Sequence, residues 1–257
     1  MTKYPVILIH GMMLKDFRFH RAFGTISEGL RKAGVCVYVL NHDGIGTISG
    51  NAQQIKCEIE RILQKERAEK VNLIAHSKGG LDARYMISVL GMEDQIASLT
   101  TLSTPHHDSK MSRTLLKMPK WMARFIAFWT NSLYRLCGDE HPDLLTVARE
   151  ITDLYLTEFN GRVRNSKQVF YQSFSSGIYR RRMIAMFFQH RFSVYCEGGN
   201  TDGIVSVESS KWGNYRGDIG GELNHLEMVS FYGSKKKREQ VASFYQTLVK
   251  ELSEEGF

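Results

Sequence analysis

Residues 71–80, VNLIAHSKGG, constrain the fold more than any other part of the chain. The apolar run at 71–75 predicts a buried strand, residues 81–90 have the apolar spacing of a helix, and Ser77 lies between them. A serine on so sharp a strand-to-helix turn needs small residues two positions before and after it, here Ala75 and Gly79. The pattern predicts a nucleophile elbow; the alternative is an ordinary turn with an incidental serine.

Strand-like and helix-like segments alternate through most of the chain. Strands are predicted from the apolar runs at 6–9, 35–40, 71–75, 96–103, 167–173 and 192–196. Helices are predicted from the periodicity of residues 17–34, 51–68, 81–90 and 236–251. Such alternation indicates crossover units and a mostly parallel sheet. We therefore expect a single α/β domain over residues 1–257.

The alternation is interrupted between residues 108 and 166, where two long helical stretches, 115–137 and 144–163, follow each other. An insertion of this size at the carboxyl end of a strand predicts a cap or lid over the site. Its first stretch mixes basic side chains with Trp121, Phe125, Phe128 and Trp129. Two interpretations stay open: these aromatic side chains form an acyl-binding wall that also contacts lipid surfaces, or they pack on the core.

A serine nucleophile needs a base within hydrogen-bond reach, and the base needs an acid to orient it. In α/β-hydrolases the acid and then the histidine follow the serine along the chain. His225, in a polar loop before the last helix, fits the base, and Asp202, after the last predicted strand, fits the acid. Asp218 is the second choice of acid. Weaker candidates for the base are His106, His107, His141 and His190, while His76 and His10 are expected to have packing roles.

The oxyanion of a tetrahedral intermediate needs backbone N–H donors. The residue after the nucleophile supplies one such donor, and the loop after the first strand supplies the other. We therefore expect the N–H groups of Lys78 and Met12 to form the oxyanion hole.

Composition and charge limit the partners. The net charge of +7 is concentrated between residues 108 and 137, but no nucleic-acid-binding module accompanies it, so no nucleic-acid partner is expected. The four cysteines form no Cys-x-x-Cys pair, and Cys36 and Cys196 are expected to be reduced, buried thiols. Residues 1–9 show no leader pattern, so we expect a soluble, cytoplasmic protein; its oligomeric state stays open.

Several segments together resemble the motifs of the bacterial triacylglycerol lipase family. They are YPVILIHGM at 4–12, AHSKGG at 75–80, STPH at 103–106, DGIV at 202–205 and NHLE at 224–227. The resemblance implies an α/β-hydrolase fold with a helical cap. It also implies a carboxylic ester hydrolase that acts on a small-molecule or lipid ester through Ser77, His225 and Asp202, with Met12 and Lys78 as oxyanion donors. The alternative is a non-catalytic member of the fold that binds a lipid or small molecule.

The resemblance also bears on cofactors. These lipases often bind a structural calcium partly through the acid two residues after the catalytic histidine, here Glu227. No second acid follows within residues 228–234. We therefore expect no cofactor, with a structural calcium as the alternative.

Overall fold

The protein is described by a computed structural model that covers residues 2–16, 21–109, 115–178 and 200–257. Within these ranges the centre of the fold is a six-stranded sheet in the order β2-β1-β3-β4-β5-β6. Every neighbouring pair is parallel. The strands are β1 (Val6–Ile9), β2 (Val37–Val39), β3 (Val71–His76), β4 (Ile96–Leu102), β5 (Phe170–Ser175) and β6 (Asn214–Asp218).

Helices at the two ends of the chain and between the first four strands cover both faces of the sheet, and further helices lie beyond it. They are α1 (Ile26–Lys32), α2 (Ile48–Glu66), α3 (Gly79–Val89), α4 (Lys120–Leu136), α5 (Leu144–Glu150), α6 (Asp153–Arg162) and α7 (Lys235–Glu254). Short 3₁₀ turns lie at Glu93–Gln95 and Glu227–Val229. Among the described helices none is both long and apolar enough to cross a membrane.

The central strands are apolar on both sides because helices cover both faces. Ile7 and Ile9 of β1 pack with α2 and α3, whereas Val6 and Leu8 point to the opposite layer, formed by α1 and α7. This alternation follows from the two-residue period of a strand. The parallel arrangement brings the carboxyl ends of β1 and β3 to one edge, with Ile9 paired to Ala75.

The predicted α/β-hydrolase architecture is confirmed, but several predicted boundaries were wrong. The helix predicted over 17–34 is described only from Ile26 to Lys32, while residues 17–20 lie outside the described ranges. The stretch at 144–163 is two helices, because Thr152 starts α6 by accepting a hydrogen bond from the N–H of Tyr155. Strand β6, polar and at the sheet edge, was not predicted. The strand predicted at 192–196 lies outside the described residues.

The prediction of a buried Cys36 was wrong. Its side chain is exposed, since it precedes β2, an edge strand paired only with β1 in the described sheet. Cys57 is exposed on α2 and Cys137 is half-buried; both are free thiols, as is Cys36. Cys196 lies outside the described residues.

Helices α4, α5 and α6 lie in the connection between β4 and β5, residues 103–169, which we name the β4–β5 connection. Residues 110–114 of this connection lie outside the described ranges. The buried face of α4 consists of Ala123, Ala127 and Tyr134. It packs against Ile45 and the α5 residues Leu144 and Val147. The larger apolar side chains of α4 point away from this contact, as described below.

Candidate active site

Ser77 lies on a sharp turn between β3 and α3. Its φ angle is +54°, in the left-handed region that a non-glycine residue rarely adopts, and its N–H donates to the carbonyl of Leu102 on β4. A side-chain carbon on Gly79 would collide with the carbonyl of His10 and lie 2.9 Å from Cγ2 of Ile9. The predicted strand–serine–helix turn is therefore present. It needs glycine at position 79 because the start of α3 lies against the end of β1 and the backbone of His10, a contact that the sequence did not indicate.

The loop after β1, residues 10–16, lies directly against this turn. A side-chain carbon on Gly11 would stand 2.6 Å from Cβ of Ser77 and 3.1 Å from the carbonyl oxygen of His76. Glycine is required there because the two backbones approach so closely. Met12 follows Gly11 at this point of contact, and Lys78 begins the turn into α3 on the other side of Ser77. Among the described residues, neither the Met12 N–H nor the Lys78 N–H donates to another protein group.

Asp202 and His225 form a buried hydrogen-bonded pair. Nδ1 of His225 lies 2.7 Å from Oδ2 of Asp202, and the His225 N–H donates to the Asp202 carbonyl at 3.0 Å. The other carboxylate oxygen of Asp202 accepts from the N–H groups of Ile204 and Val205. The carboxylate is thus fixed by its own turn, and it orients the imidazole so that Nδ1 carries the proton and Nε2 is the basic nitrogen.

The imidazole of His225 packs against the residue that precedes the serine. The ring centroids of His225 and His76 are 4.4 Å apart. The structure therefore brings together the β1 loop, the Ser77 turn and the Asp202–His225 pair at one sheet edge, where ligands bind in open α/β sheets. The second choice of acid, Asp218, instead accepts a hydrogen bond from the N–H of Gly220.

The weaker candidates for the base have other contacts. His106 is fully buried, with its two nitrogens 3.1 Å from Nη1 of Arg84 and 3.1 Å from Oγ1 of Thr101. Nε2 of His107 lies 3.3 Å from the carbonyl of Lys211. The backbone N–H of His141 donates to Asp43. His190 lies outside the described residues.

Burial keeps several groups around the turn in their neutral forms. His10 and His42 stack with ring centroids 3.8 Å apart. Desolvation lowers the pKa of His10 to about 4 and places the pKa values of His42 and His76 well below their ordinary value. Because neutral imidazoles bring no charge, the expected packing roles of His10 and His76 fit their surroundings.

The side chain of Lys78 makes a contact that the sequence did not suggest. Its Nζ atom forms a buried ion pair with Oδ1 of Asp82 at 2.6 Å, and Oδ2 of Asp82 accepts from Asn51. Burial nevertheless raises the pKa of Asp82 to about 6. The ion pair links the residue after the serine to the first turn of α3. Its i,i+4 spacing was visible in the sequence, but nothing indicated that it would be buried.

The residues near Glu227 do not fit a structural calcium. One carboxylate oxygen of Glu227 pairs with Nζ of Lys237 at 2.6 Å and accepts from the N–H of Asn224 at 2.9 Å. A lysine ammonium thus stands where a metal ion would need free oxygen ligands. Within the described ranges, no group of three or more histidine, cysteine or acidic side chains is arranged to hold a metal ion.

Comparison with known proteins identifies the family of this chain. Residues 5–144, more than half of the chain, match the profile of the palmitoyl protein thioesterase family. The chain belongs to this family. The match begins just before β1 and includes the Ser77 turn, α4 and the start of α5.

The chain also has relatives that are named lipases, which confirms the resemblance to the lipase family. The chain is 28% identical over 237 residues to triacylglycerol lipase 2 of Saccharomyces cerevisiae, covering 86% of this chain and 65% of the relative. It is 32% identical over 174 residues to a triacylglycerol lipase of Pseudarthrobacter phenanthrenivorans, covering 62% and 53%. The chain thus spans less than two thirds of the length of either relative.

Solved structures confirm the fold. The mature form of the Bacillus licheniformis lipase BlEst2 superposes with a TM-score of 0.71 at 16% identity. The superposition covers 98% of this chain and 93% of that one. At this identity the likeness concerns the arrangement of strands and helices alone.

Proposed function

We propose that this protein is a serine hydrolase that cleaves carboxylic esters through an acyl-enzyme intermediate. The observation that carries the proposal is the buried Asp202–His225 pair, 2.7 Å between Oδ2 and Nδ1, held beside the strained turn of Ser77. The names of the relatives, triacylglycerol lipases in yeast and in a bacterium, support the same reaction class.

In this mechanism Ser77 Oγ attacks the acyl carbon while Nε2 of His225 takes its proton. Asp202 orients the imidazole and stabilises the imidazolium through its hydrogen bond to Nδ1, while its other oxygen accepts two backbone N–H groups. The amides of Met12 and Lys78 stabilise the oxyanion. His225 then protonates the leaving alcohol, and a water molecule, deprotonated by the same imidazole, releases the acid and regenerates Ser77.

The β4–β5 connection serves as a cap over this site in the proposal, and α4 is its lipid-contacting element. Large apolar side chains on α4 are mostly exposed: Trp121 (72%), Phe125 (61%), Phe128 (63%), Trp129 (60%) and Leu136 (87%). Lys117, Lys120, Arg124 and Arg135 are exposed beside them. Aromatic rings with adjacent cationic side chains suit the interface of an anionic lipid surface. The substrate class is accordingly a lipid ester.

The test is hydrolysis of p-nitrophenyl esters of increasing acyl length by the wild-type protein and Ser77→Ala. We expect turnover by the wild type, increasing towards longer acyl chains, and its loss in the variant. Ser49→Ala, at an exposed position on α2, is the matched control and keeps full activity. Undiminished hydrolysis by Ser77→Ala would refute the proposal. Tight binding of the esters without turnover by the wild type would instead favour a non-catalytic lipid-binding protein.

A further inference from the structure

The backbone of the β1 loop is held in an unfavourable conformation by residues that come from elsewhere in the chain. Met13, next to the proposed oxyanion donor Met12, has a φ angle of +63°. Its N–H donates to the carbonyl of Gly44 at 2.8 Å, and its carbonyl accepts from the hydroxyl of Tyr134 at 3.0 Å. A left-handed non-glycine residue persists only where its surroundings over-determine it. Here the surroundings are the loop after β2 and the C-terminal turn of α4.

These two surrounding segments are joined by two carboxylates in a reciprocal arrangement. Asp139, just after α4, accepts from the N–H groups of Gly44 and Ile45 at 3.0 and 2.9 Å. Asp43, in the loop after β2, accepts from the N–H groups that directly follow Asp139, those of Glu140 and His141, at 2.9 and 2.8 Å. Each loop therefore supplies the carboxylate that satisfies the other loop's backbone, and both carboxylates are buried.

A lysine of the β1 loop completes this arrangement. Nζ of Lys15 lies 3.0 Å from Oδ1 of Asp139, 3.8 Å from Oδ1 of Asp43 and 2.7 Å from the carbonyl of Gly138. Lys15 is 5% exposed, so its charge is balanced inside the protein rather than by solvent. We name Lys15, Asp43 and Asp139 the buried ion cluster. It ties together three segments that are up to 124 residues apart in the chain.

The side chains of Tyr134 and Lys15 pack closely against the backbone of the loop after β2. A side-chain carbon on Gly44 would lie 2.7 Å from Cε1 of Tyr134 and 3.5 Å from Cβ of Lys15. The C-terminal end of α4 cannot move away without removing the Tyr134 hydroxyl from the carbonyl of Met13. The position of the β4–β5 connection and the conformation of the β1 loop are thus coupled.

We infer that the buried ion cluster, with Tyr134, positions the Met12 N–H for the oxyanion, so that the β4–β5 connection takes part in forming the oxyanion hole. Lys15, Asp43, Asp139 and Tyr134 are positioning residues, since they act through the β1 loop and do not touch the reacting atoms. The inference rests on the proposed function, in which Met12 is an oxyanion donor. It goes beyond that function by assigning the geometry of the donor to the loop after β2 and the C-terminal end of α4, which Lys15 joins to the β1 loop.

The test compares Asp139→Asn, Lys15→Met and Tyr134→Phe with the wild-type protein on one soluble p-nitrophenyl ester. Turnover is expressed per serine titrated with a fluorophosphonate, so that unfolded protein is not counted. Loss of an oxyanion donor typically lowers kcat by about 10²–10³-fold. A misplaced donor should cost less, so we expect kcat to fall by about tenfold or more in Asp139→Asn and Lys15→Met. KM should stay within about twofold, and phosphonylation should slow by a similar factor to kcat.

Tyr134→Phe removes a single hydroxyl and keeps the ring packing, so it decides the matter if the charge variants do not fold. We expect its kcat to fall by about threefold or more, with KM unchanged. Lys250→Met, which breaks an exposed ion pair of α7 with Glu254, is the control and should leave kcat unchanged. If the folded variants keep wild-type kcat per titrated serine, the inference is wrong. If the wild type itself neither turns over nor labels, the proposed function fails first.

Discussion

The edge of the sheet around Ser77 and the outer face of α4 are built on opposite principles. At the edge, polar groups are buried, and they include the paired Asp202–His225 and Lys78–Asp82 side chains. On α4, which places Ala123 and Ala127 inwards, rings such as those of Trp121 and Phe128 face solvent. Ordinary amphipathic helices do the reverse, as α2 does with Ile55 and Ile59 buried.

The difference fits the two separate tasks proposed for these regions. Buried, paired polar groups fix the direction of a few donors and acceptors, which is what a reaction with a developing charge requires. Exposed apolar side chains gain free energy only when another apolar surface covers them. Changes at the sheet edge should therefore affect turnover on every ester, whereas changes on α4 should affect activity only where a lipid surface is present.

The largest effect is expected from His225→Ala. Removal of the proposed base should lower kcat by about 10⁴-fold or more on soluble and lipid esters alike, because the members of a catalytic triad act as a unit. The measurement is kcat on a soluble ester and on a vesicle-borne ester. His107→Ala removes an exposed imidazole from the same chain and should leave both values unchanged. A loss of kcat on the vesicle-borne ester alone would contradict the assignment of the reaction to the sheet edge.

Much of the sheet edge was predictable because its determinants are local. The small residues Ala75 and Gly79 around Ser77, the apolar runs of the strands and the loop positions of Asp202 and His225 all appear in the sequence. The structure adds the bonds between the acid and the imidazole. The buried ion cluster was not predictable, since Lys15 and Asp139 are 124 residues apart and neither position has an unusual local pattern.

The predicted helix boundaries were wrong for a related reason. Apolar periodicity continues across Thr152, so the sequence did not reveal that its side chain would start a new helix. The two interpretations of the aromatic residues on α4 could not be separated either, because periodicity gives the spacing of a face but not its direction. The exposed rings decide against packing on the core.

The second effect concerns pH and the buried histidines of the sheet edge and its surroundings. In the folded protein the pKa of His10 is lowered to about 4, and the pKa values of three others are well below 6.5: His42, His76 and His106. Between about pH 6.5 and 4 the unfolded chain binds more protons at these sites. The stability that these imidazoles contribute is therefore present above pH 6.5 and lost as the pH falls. For each imidazole the free energy of unfolding decreases by up to about 1.4 kcal/mol per pH unit.

Two buried carboxylates oppose this trend in part. Burial raises the pKa of both Asp82 and Glu150 to about 6, so they contribute stability at low pH that is lost as the pH rises through 6. Because the four imidazoles outnumber them, we expect the thermal midpoint to fall steadily from pH 7 to pH 4.5. His141→Gln, which removes an exposed imidazole, should give the same slope. A midpoint that is flat or rises on acidification would contradict this account.

The third effect concerns binding of lipid vesicles by the exposed side chains of α4. Trp121→Ser with Phe128→Ser should weaken binding to vesicles of anionic lipid by about 100-fold or more, since burial of each large apolar side chain contributes about 1.5–3 kcal/mol. Turnover of a soluble ester should not change. Co-sedimentation with vesicles and the soluble-ester assay separate these two properties. Leu154→Ser, which is equally exposed but lies on α6, is the control; vesicle binding that survives the double variant would refute the assignment of α4.

The smallest effect is expected from Lys237→Met, which removes the ammonium partner of Glu227 beside the loop of His225. The Lys237 side chain is 31% exposed, so solvent reduces the cost of the broken pair to about 1–3 kcal/mol in the free energy of unfolding. Chemical denaturation measures this free energy, with Lys235→Met, an exposed neighbour, as the control.

Because the ammonium of Lys237 stands where a cation would bind, chelators should leave wild-type activity unchanged. Inactivation by a chelator would contradict this expectation.

The most direct test of the central claim is to locate the nucleophile chemically. Wild-type protein treated with a fluorophosphonate and digested should carry the adduct on the peptide that contains Ser77, and His225→Ala should label far more slowly under the same conditions. An adduct on another residue, or ester turnover that continues while Ser77 stays unmodified, would contradict the proposed role of the turn between β3 and α3.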